Sequence, residues 1–221
     1  MILAFLSTDG PATLSEVVDE TGLPRATAYR LLSALEAHHL VVRGEGRYSL
    51  GSRLLGWGNR VVAGAGLVGA ARPVLAALRD ATDESTQLYV REGNARVCVA
   101  SVERATGLRD TVPVGAVLPL ELGSGGKVLL AWAEDEERSS GIEAAELDVV
   151  RSRGWAESVA EREAGVASVS APVFDIAGDV CAAVSVSGPI ARLGHSPGVR
   201  LAERVVAAAQ EIEGALGSRQ L

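Results

Sequence analysis

The sequence predicts an α+β protein with an N-terminal winged helix-turn-helix and a larger C-terminal domain on a mostly antiparallel sheet. Three observations predict this architecture. Residues 13–32 follow the pattern helix, tight turn, helix, and two short β-like runs around a glycine-bracketed turn come soon after them. From residue 86 onward, pairs of β-like runs alternate with helical segments, which is typical of helices packed on an antiparallel sheet.

The helix-turn-helix has clear start and stop signals. A Ser or Thr caps the first of the two helices in residues 13–32, Val17 and Val18 supply its apolar face, and Gly22 ends it. Pro24 comes next, where the missing N–H is not needed. The second helix begins with polar and basic residues at Arg25 and continues with leucines at helical spacing. This layout is that of a recognition helix whose N-terminal end enters the major groove.

A first helix and a hairpin complete the winged motif. The first helix contains Ile2 to Leu6 and is closed by the turn Asp9-Gly10-Pro11, while the hairpin pairs 41–43 with 47–50. Arg43 and Arg47 flank the tip of this wing, where they can reach phosphate or the minor groove.

The charge distribution supports DNA binding although the chain has a net charge of −7. Residues 23–48 hold four Arg against two Glu, whereas residues 61–221 hold 15 basic and 22 acidic side chains. Arg donates hydrogen bonds to the major-groove edge of guanine, and the Thr methyl group packs against the thymine methyl group. The candidate DNA contacts are Arg25, Thr27, Tyr29, Arg30, Arg43 and Arg47. The alternative is that these are ordinary surface residues, and that Tyr29 packs against the first helix.

The second domain is predicted to follow a linker helix at about 52–66. We expect a DNA-binding domain at 1–57 and a sensor and oligomerisation domain at 58–221. The predicted hairpins pair 86–91 with 96–103 and 167–174 with 180–187. The predicted helices are 67–81, one opened by Gly123 to Lys127 and running to Trp132, 134–140, 143–153 and 197–216.

Composition argues against several other classes of protein. The most apolar segment, 180–186, is too short to span a bilayer, and no charged-then-apolar leader is present, so we expect a cytoplasmic protein. Cys98 and Cys181 lie in apolar runs and are expected to be buried thiols. Two Cys and three His at these spacings form no metal-ligand cluster, and no nucleophile–base pair is evident, so we expect no cofactor and no catalysis.

The chain resembles the IclR family of bacterial transcription regulators over nearly its whole length. The resemblance lies in 23–32 with Tyr48-Ser49-Leu50-Gly51, in Ser124-Gly125-Gly126-Lys127, and in Val184-Ser185-Val186-Ser187-Gly188-Pro189. It implies a GAF-like effector domain, a homodimer or homotetramer, and a palindromic operator on double-stranded DNA with half-sites ~34 Å apart. The phrases 107–115 and 165–172 look closest to a branch that controls amino-acid biosynthesis, notably of leucine.

The resemblance also implies a site for a small metabolite, with Ser124 and Gly125 binding it through main-chain N–H groups at a helix start. The implied effector residues are Asp110, Ser124, Gly125, Ser158, Ser168, Ser185 and Ser187. For Ser185 and Ser187 the alternative is that their hydroxyls only bond to the main chain.

Two departures leave the ligand open between an amino acid and another carboxylic acid. Ser158 replaces an acid found in relatives that sense glyoxylate or pyruvate, and Asp110, expected at a strand edge, adds a carboxylate that suits an ammonium group. Alternative functions are a small-molecule-binding GAF-like enzyme and a protein-interaction module without DNA binding. Binding to the DNA beside its own gene discriminates among these functions.

Overall fold

The computed structural model describes residues 1–57, 66–133 and 141–217. The predicted helix at 134–140 and most of the predicted linker helix at 52–66 lie outside these residues. The chain divides into two compact units, Met1–Gly64 and Ala65–Leu221. The predicted boundary between residues 57 and 58 stays a prediction, because the described residues stop there and resume at 66.

The N-terminal unit is a winged helix-turn-helix, as predicted. Its elements are α1 (Ile2–Thr8), β1 (Ala12–Thr13), α2 (Leu14–Thr21), α3 (Arg25–Ala37), β2 (Val41–Gly44) and β3 (Arg47–Leu50). The three strands form a small antiparallel sheet in the order β1-β3-β2. Strand β1 was not predicted, because two residues are too few to show an alternating pattern.

Local sequence signals set the limits of α2. The Thr13 hydroxyl accepts a hydrogen bond from the Glu16 N–H, and the Glu16 carboxylate accepts one from the Thr13 N–H, which makes a capping box. The main-chain hydrogen bond from Thr13 holds the pKa of Glu16 below its ordinary value. This bond therefore stabilises the unit above the unfolded carboxyl pKa and is lost as pH falls through the folded value. Gly22 ends α2 in the left-handed region, with φ of 65°.

The C-terminal unit has a six-stranded sheet in the order β6-β5-β4-β9-β8-β7, in which every neighbouring pair is antiparallel. Its strands are β4 (Ser85–Glu92), β5 (Ala95–Val102), β6 (Val117–Pro119), β7 (Ala156–Val159), β8 (Val166–Phe174) and β9 (Val180–Pro189). Its helices are α4 (Gly66–Thr82), α5 (Ser124–Ala131), α6 (Ala144–Arg153), α7 (Ile190–Leu193) and α8 (Gly198–Gly217). The predicted α+β class and both predicted hairpins are confirmed. The edge strands β6 and β7 and the single-turn helix α7 were missed, since each is only three or four residues long.

Helices cover both faces of this sheet. On one face, α4 and α8 pack against aliphatic side chains such as Val169, Val184 and Val186. On the other face, α5 and α6 pack against Tyr89, Cys98 and Ala183 among others. Because side chains alternate along a strand, Ser185 and Ser187 face the side of α5 while their valine neighbours enter the α4–α8 core. The sheet therefore places hydroxyl groups beneath the start of α5.

Candidate effector cavity and nucleic-acid interface

The start of α3 presents the predicted recognition residues. Arg25, Tyr29 and Arg30 are exposed, and Thr27 is half-buried. Tyr29 leaves 50% of its surface in solvent, so the interpretation that it packs into the first helix is not supported. The Arg25 guanidinium donates a hydrogen bond to the Ser15 hydroxyl at 3.0 Å, which fixes its direction. This end of α3 thus offers cationic and hydrogen-bonding groups that suit base edges and phosphates.

The two wing arginines differ in their contacts. Arg43 lies 5.3 Å from the ring centre of the buried Tyr48 and is otherwise exposed. Arg47 donates two hydrogen bonds to the Pro11 carbonyl, at 2.7 and 3.0 Å, and pairs with Glu16 at 3.0 Å. Its guanidinium is therefore engaged in holding the wing against α2, which makes it a weaker DNA-contact candidate than the sequence alone predicts.

All seven predicted effector residues line one cavity between the sheet and the start of α5. The cavity encloses about 20 Å³, room for about one water molecule. The lining residues that sequence reasoning missed are Tyr89, Arg96, Gly123, Arg162, Glu163 and Val166.

Serine side chains from three neighbouring strands form the floor of this cavity, and the register of the strands brings them together. Ser158 lies opposite Ser168, which lies opposite Ser187, while Ser170 lies opposite Ser185 in the next row. The serines therefore sit side by side on three neighbouring strands and share the face beneath α5.

The floor hydroxyls bond mainly to one another. The Ser124 hydroxyl lies 2.7 Å from those of both Ser168 and Ser170, and Ser170 donates to Ser185 at 2.9 Å. The Ser187 hydroxyl donates to the side-chain amide oxygen of Gln87, Oε1, at 3.1 Å. The alternative in which Ser185 and Ser187 bond only to the main chain is thus wrong, because each hydroxyl has a side-chain partner. Ser170, at the centre of this network, was missed, although its spacing of two from Ser168 was a usable signal.

The start of α5 is anchored by charged residues. The Gly123 N–H donates to the Glu161 carboxylate at 3.1 Å, and Lys127 pairs with Glu161 at 2.5 Å and with Glu146 at 2.7 Å. Burial alone would lower the pKa of Lys127, but these two carboxylates outweigh it and the pKa is raised. At Gly126 a Cβ atom would lie 1.8 Å from the Leu120 carbonyl oxygen. Only glycine therefore allows α5 to pack this closely against the main chain at Leu120.

Asp110 differs from its predicted setting. It lies in the loop 103–116 between β5 and β6, not at a strand edge. Its carboxylate is buried and lies 2.8 and 2.9 Å from the Arg162 Nη2 atom. Because Arg162 already balances this charge, Asp110 offers no free carboxylate for an ammonium group.

Arg96 brings a second guanidinium to the cavity. It is 3% exposed, lies 5.2 Å from the Tyr89 ring centre, and donates to the carbonyl oxygens of Pro119 and Leu122. Burial lowers the pKa of Arg96. Its Nε atom has no hydrogen-bond partner among the described residues. A sequence signal existed, because Arg96 shares a strand face with the buried Cys98.

Within the described ranges, neither a membrane-crossing helix nor a cluster of three potential metal-ligating side chains was found. Cys98 is buried and Cys181 is partly buried, both as free thiols. Burial raises the pKa of Cys98 to about 12 and that of Cys181 to about 11, so both remain protonated near neutral pH.

Two family models match this chain. The model described as the IclR helix-turn-helix domain matches residues 1–45, and that described as the bacterial transcriptional regulator IclR C-terminal matches residues 59–214. The HTH-type transcriptional regulator KipR of Bacillus subtilis is 30% identical, with 93% of this chain and 90% of the relative covered. The HTH-type transcriptional repressor AllR of Escherichia coli K12 is 27% identical, covering 98% and 88%.

Solved structures share the fold. A putative transcriptional regulator from Rhodococcus sp. RHA1 is 28% identical with a TM-score of 0.82, covering 99% of this chain and 96% of that chain. An IclR homologue from Microbacterium hydrocarbonoxydans, solved with 4-hydroxybenzoate, is 25% identical with a TM-score of 0.81, covering 94% and 92%. Since the motifs, both family models and both units of the fold agree, this chain belongs to the IclR family of DNA-binding transcription regulators.

Proposed function

We propose that this regulator binds a palindromic operator as a dimer or a dimer of dimers, and that a small carboxylate in the serine-lined cavity changes its operator affinity. The cytoplasm is the compartment in which such a protein works. DNA is contacted by Arg25, Thr27, Tyr29 and Arg30 at the start of α3 and by Arg43 on the wing, with Arg47 in a supporting role.

The observation that carries the effector proposal is the charge of the cavity lining. Two guanidiniums, of Arg96 and Arg162, face the buried carboxylate of Asp110, while the second carboxylate of the lining, that of Glu163, is 60% exposed and balances their charge less. Ser124 adds a hydroxyl and the first turn of α5, where the helix dipole favours a negative group. This combination favours a carboxylic acid over a cation. The relative solved with 4-hydroxybenzoate, itself a carboxylate, supports the same class.

An amino acid is a second candidate ligand, because it would bind through its carboxylate. The link to amino-acid or leucine biosynthesis rests on the phrases 107–115 and 165–172 and remains a proposal. Calorimetry with 4-hydroxybenzoate, pyruvate and leucine separates these classes. If leucine binds more tightly than 4-hydroxybenzoate and pyruvate, the hypothesis that the effector is an amino acid is favoured.

The DNA-binding half of the proposal is tested on the DNA beside the protein's own gene. The double variant Arg25→Ala/Arg30→Ala should weaken operator binding strongly, because each base contact contributes ~1–3 kcal/mol. The measurement is a gel-shift titration at fixed salt. Glu36→Gln, which changes an exposed side chain at the far end of the same helix, is the matched control and should bind as wild type. Unchanged operator affinity of the folded double variant would contradict the proposed interface.

A further inference from the structure

The Asp110–Arg162 ion pair lies where two cavities meet. The inner cavity is the serine-lined one, and an outer cleft of about 370 Å³ lies beside it, lined by Leu108, Arg109 and Gly165 among others. Asp110, Glu163 and Val166 line both spaces. The ion pair therefore stands between the floor serines and the wider cleft.

The inner cavity is too small for a metabolite while this pair is intact. Its volume of about 20 Å³ is close to that of one water molecule, so a ligand of several heavy atoms needs a side chain to move. The floor serines are held by their mutual hydrogen bonds, and Arg96 is held by two main-chain carbonyls. Asp110, in contrast, lies in a loop of fourteen residues, 103–116, that has no helix or strand.

If Asp110 moved away from Arg162 and no other anion took its place, the poorly solvated guanidinium of Arg162 would remain close to that of Arg96. Arg162 keeps only 21% of its side-chain surface exposed, and, in addition to burial, its charge lowers the pKa of the neighbouring Arg96. Its other carboxylate partner, Glu163, is more distant at 3.3 Å and is 60% exposed. A ligand carboxylate has the charge and the acceptor geometry of the aspartate group and can therefore replace it.

We propose that Asp110 occupies the anion position of the effector cavity, and that an effector carboxylate binds by displacing it from Arg162. Arg162 is then the specificity-determining residue for the negative charge of the ligand. Displacement of Asp110 frees the loop 103–116, which links ligand binding to a change of conformation. This inference rests on the proposed function only in taking the cavity as the effector site.

The test uses the full chain and acetate as the probe, because acetate is a small carboxylate with a neutral analogue of the same shape, acetamide. Asp110→Asn keeps the shape of the side chain and removes the competing charge. We expect it to bind acetate about tenfold more tightly than wild type, as judged by thermal-shift titration at constant ionic strength. Acetamide, the neutral analogue, should bind neither protein measurably. Adding Arg162→Gln to this variant should abolish the gain.

Glu103→Gln is the matched control, since Glu103 pairs with Arg109 at 2.6 Å at the start of the same loop but does not line the cavity. It should leave acetate binding unchanged. The inference is overturned if Asp110→Asn binds acetate no more tightly than wild type, or if the gain survives Arg162→Gln.

A second measurement covers the case in which Asp110→Asn does not fold. Acetate should increase hydrogen exchange of the amides at 108–112 in the wild type but not in Arg162→Gln, and unchanged exchange in the wild type would overturn the inference. Failure of the proposed function would show differently, as wild-type protein that binds no operator or whose operator binding responds to no carboxylate.

Discussion

The arginines of this protein differ in which groups balance their charge, and that difference decides which of them can bind an anion without first losing a partner. Arg47 and Arg162 are paired with carboxylates, and the buried Arg96 donates to main-chain carbonyls. Arg43 has an aromatic ring on one side and solvent on the other. An arginine whose charge is already balanced gains less from a phosphate than one that is not.

The two wing arginines make this point testable. Arg43→Ala should weaken operator binding and reduce the slope of log K against log salt concentration by ~1, because one phosphate contact is lost. Arg47→Ala should leave that slope nearly unchanged, because the Arg47 charge is already paired with Glu16. It should lower the melting temperature, because the wing loses its hydrogen bonds to the Pro11 carbonyl and its ion pair with Glu16. Gel shifts at several salt concentrations and thermal melts measure both effects. Equal slopes for Arg43→Ala and wild type would contradict the assignment.

At the scale of the element, the position of α5 shapes the candidate effector cavity. Its first turn carries Ser124 and Gly125, its start is tied to Glu161 through the Gly123 N–H, and Lys127 pairs with acids from two neighbouring segments. The helix can occupy this position only because Gly126 leaves space for the Leu120 carbonyl. Gly126 therefore permits the close approach of the helix, and the contacts of Gly123 and Lys127 hold the helix there.

Glycine-to-alanine variants distinguish this positional role from helix propensity. Gly126→Ala should destabilise the protein by about 3 kcal/mol, since overpacking costs ~1–3 kcal/mol and the obstructing atom belongs to the backbone. Gly214→Ala, in α8, adds a Cβ that meets no atom within 4 Å apart from its chain neighbours and the backbone of its own helix, and it should stabilise the protein by ~0.5–1 kcal/mol. Chemical denaturation measures both changes. Equal effects of the two substitutions would argue against the close approach.

At the scale of the whole molecule, the proposed regulation requires two recognition helices that read two half-sites. A ligand changes operator affinity only by its different affinity for the two arrangements of the assembly. A coupling of 1–3 kcal/mol, which is typical, corresponds to a change of about 5–150-fold in operator affinity.

We therefore expect the protein to protect two half-sites whose centres are about one helical turn, ~34 Å, apart. DNase footprinting and sedimentation equilibrium measure the spacing and the stoichiometry. An operator in which one half-site is scrambled is the control and should bind far more weakly. Full affinity for that single half-site, with one chain bound, would contradict the dimeric reading.

The sequence by itself determined the class of fold, both hairpins and the winged motif, because these depend on local signals, whereas the predicted serines of the site came from the resemblance to the IclR family. Thr13 and Gly22 limit α2 through their own main-chain geometry, and the period-two pattern of β8 and β9 places Ser168, Ser185 and Ser187 on one face. The short strands β6 and β7 had too few residues to show a pattern.

Only the tertiary structure decided which charges meet. Arg162 and Asp110 are 52 residues apart, and Arg47 and Glu16 are 31 apart, so no local spacing indicates either pair. From the sequence we predicted that the Asp110 carboxylate and the Arg47 guanidinium are both free to bind a ligand or DNA. In the folded protein each of them is paired with a group of opposite charge. The energy of an ion pair depends on the distance between its atoms and on their removal from water, and the chain sets both only when it is folded.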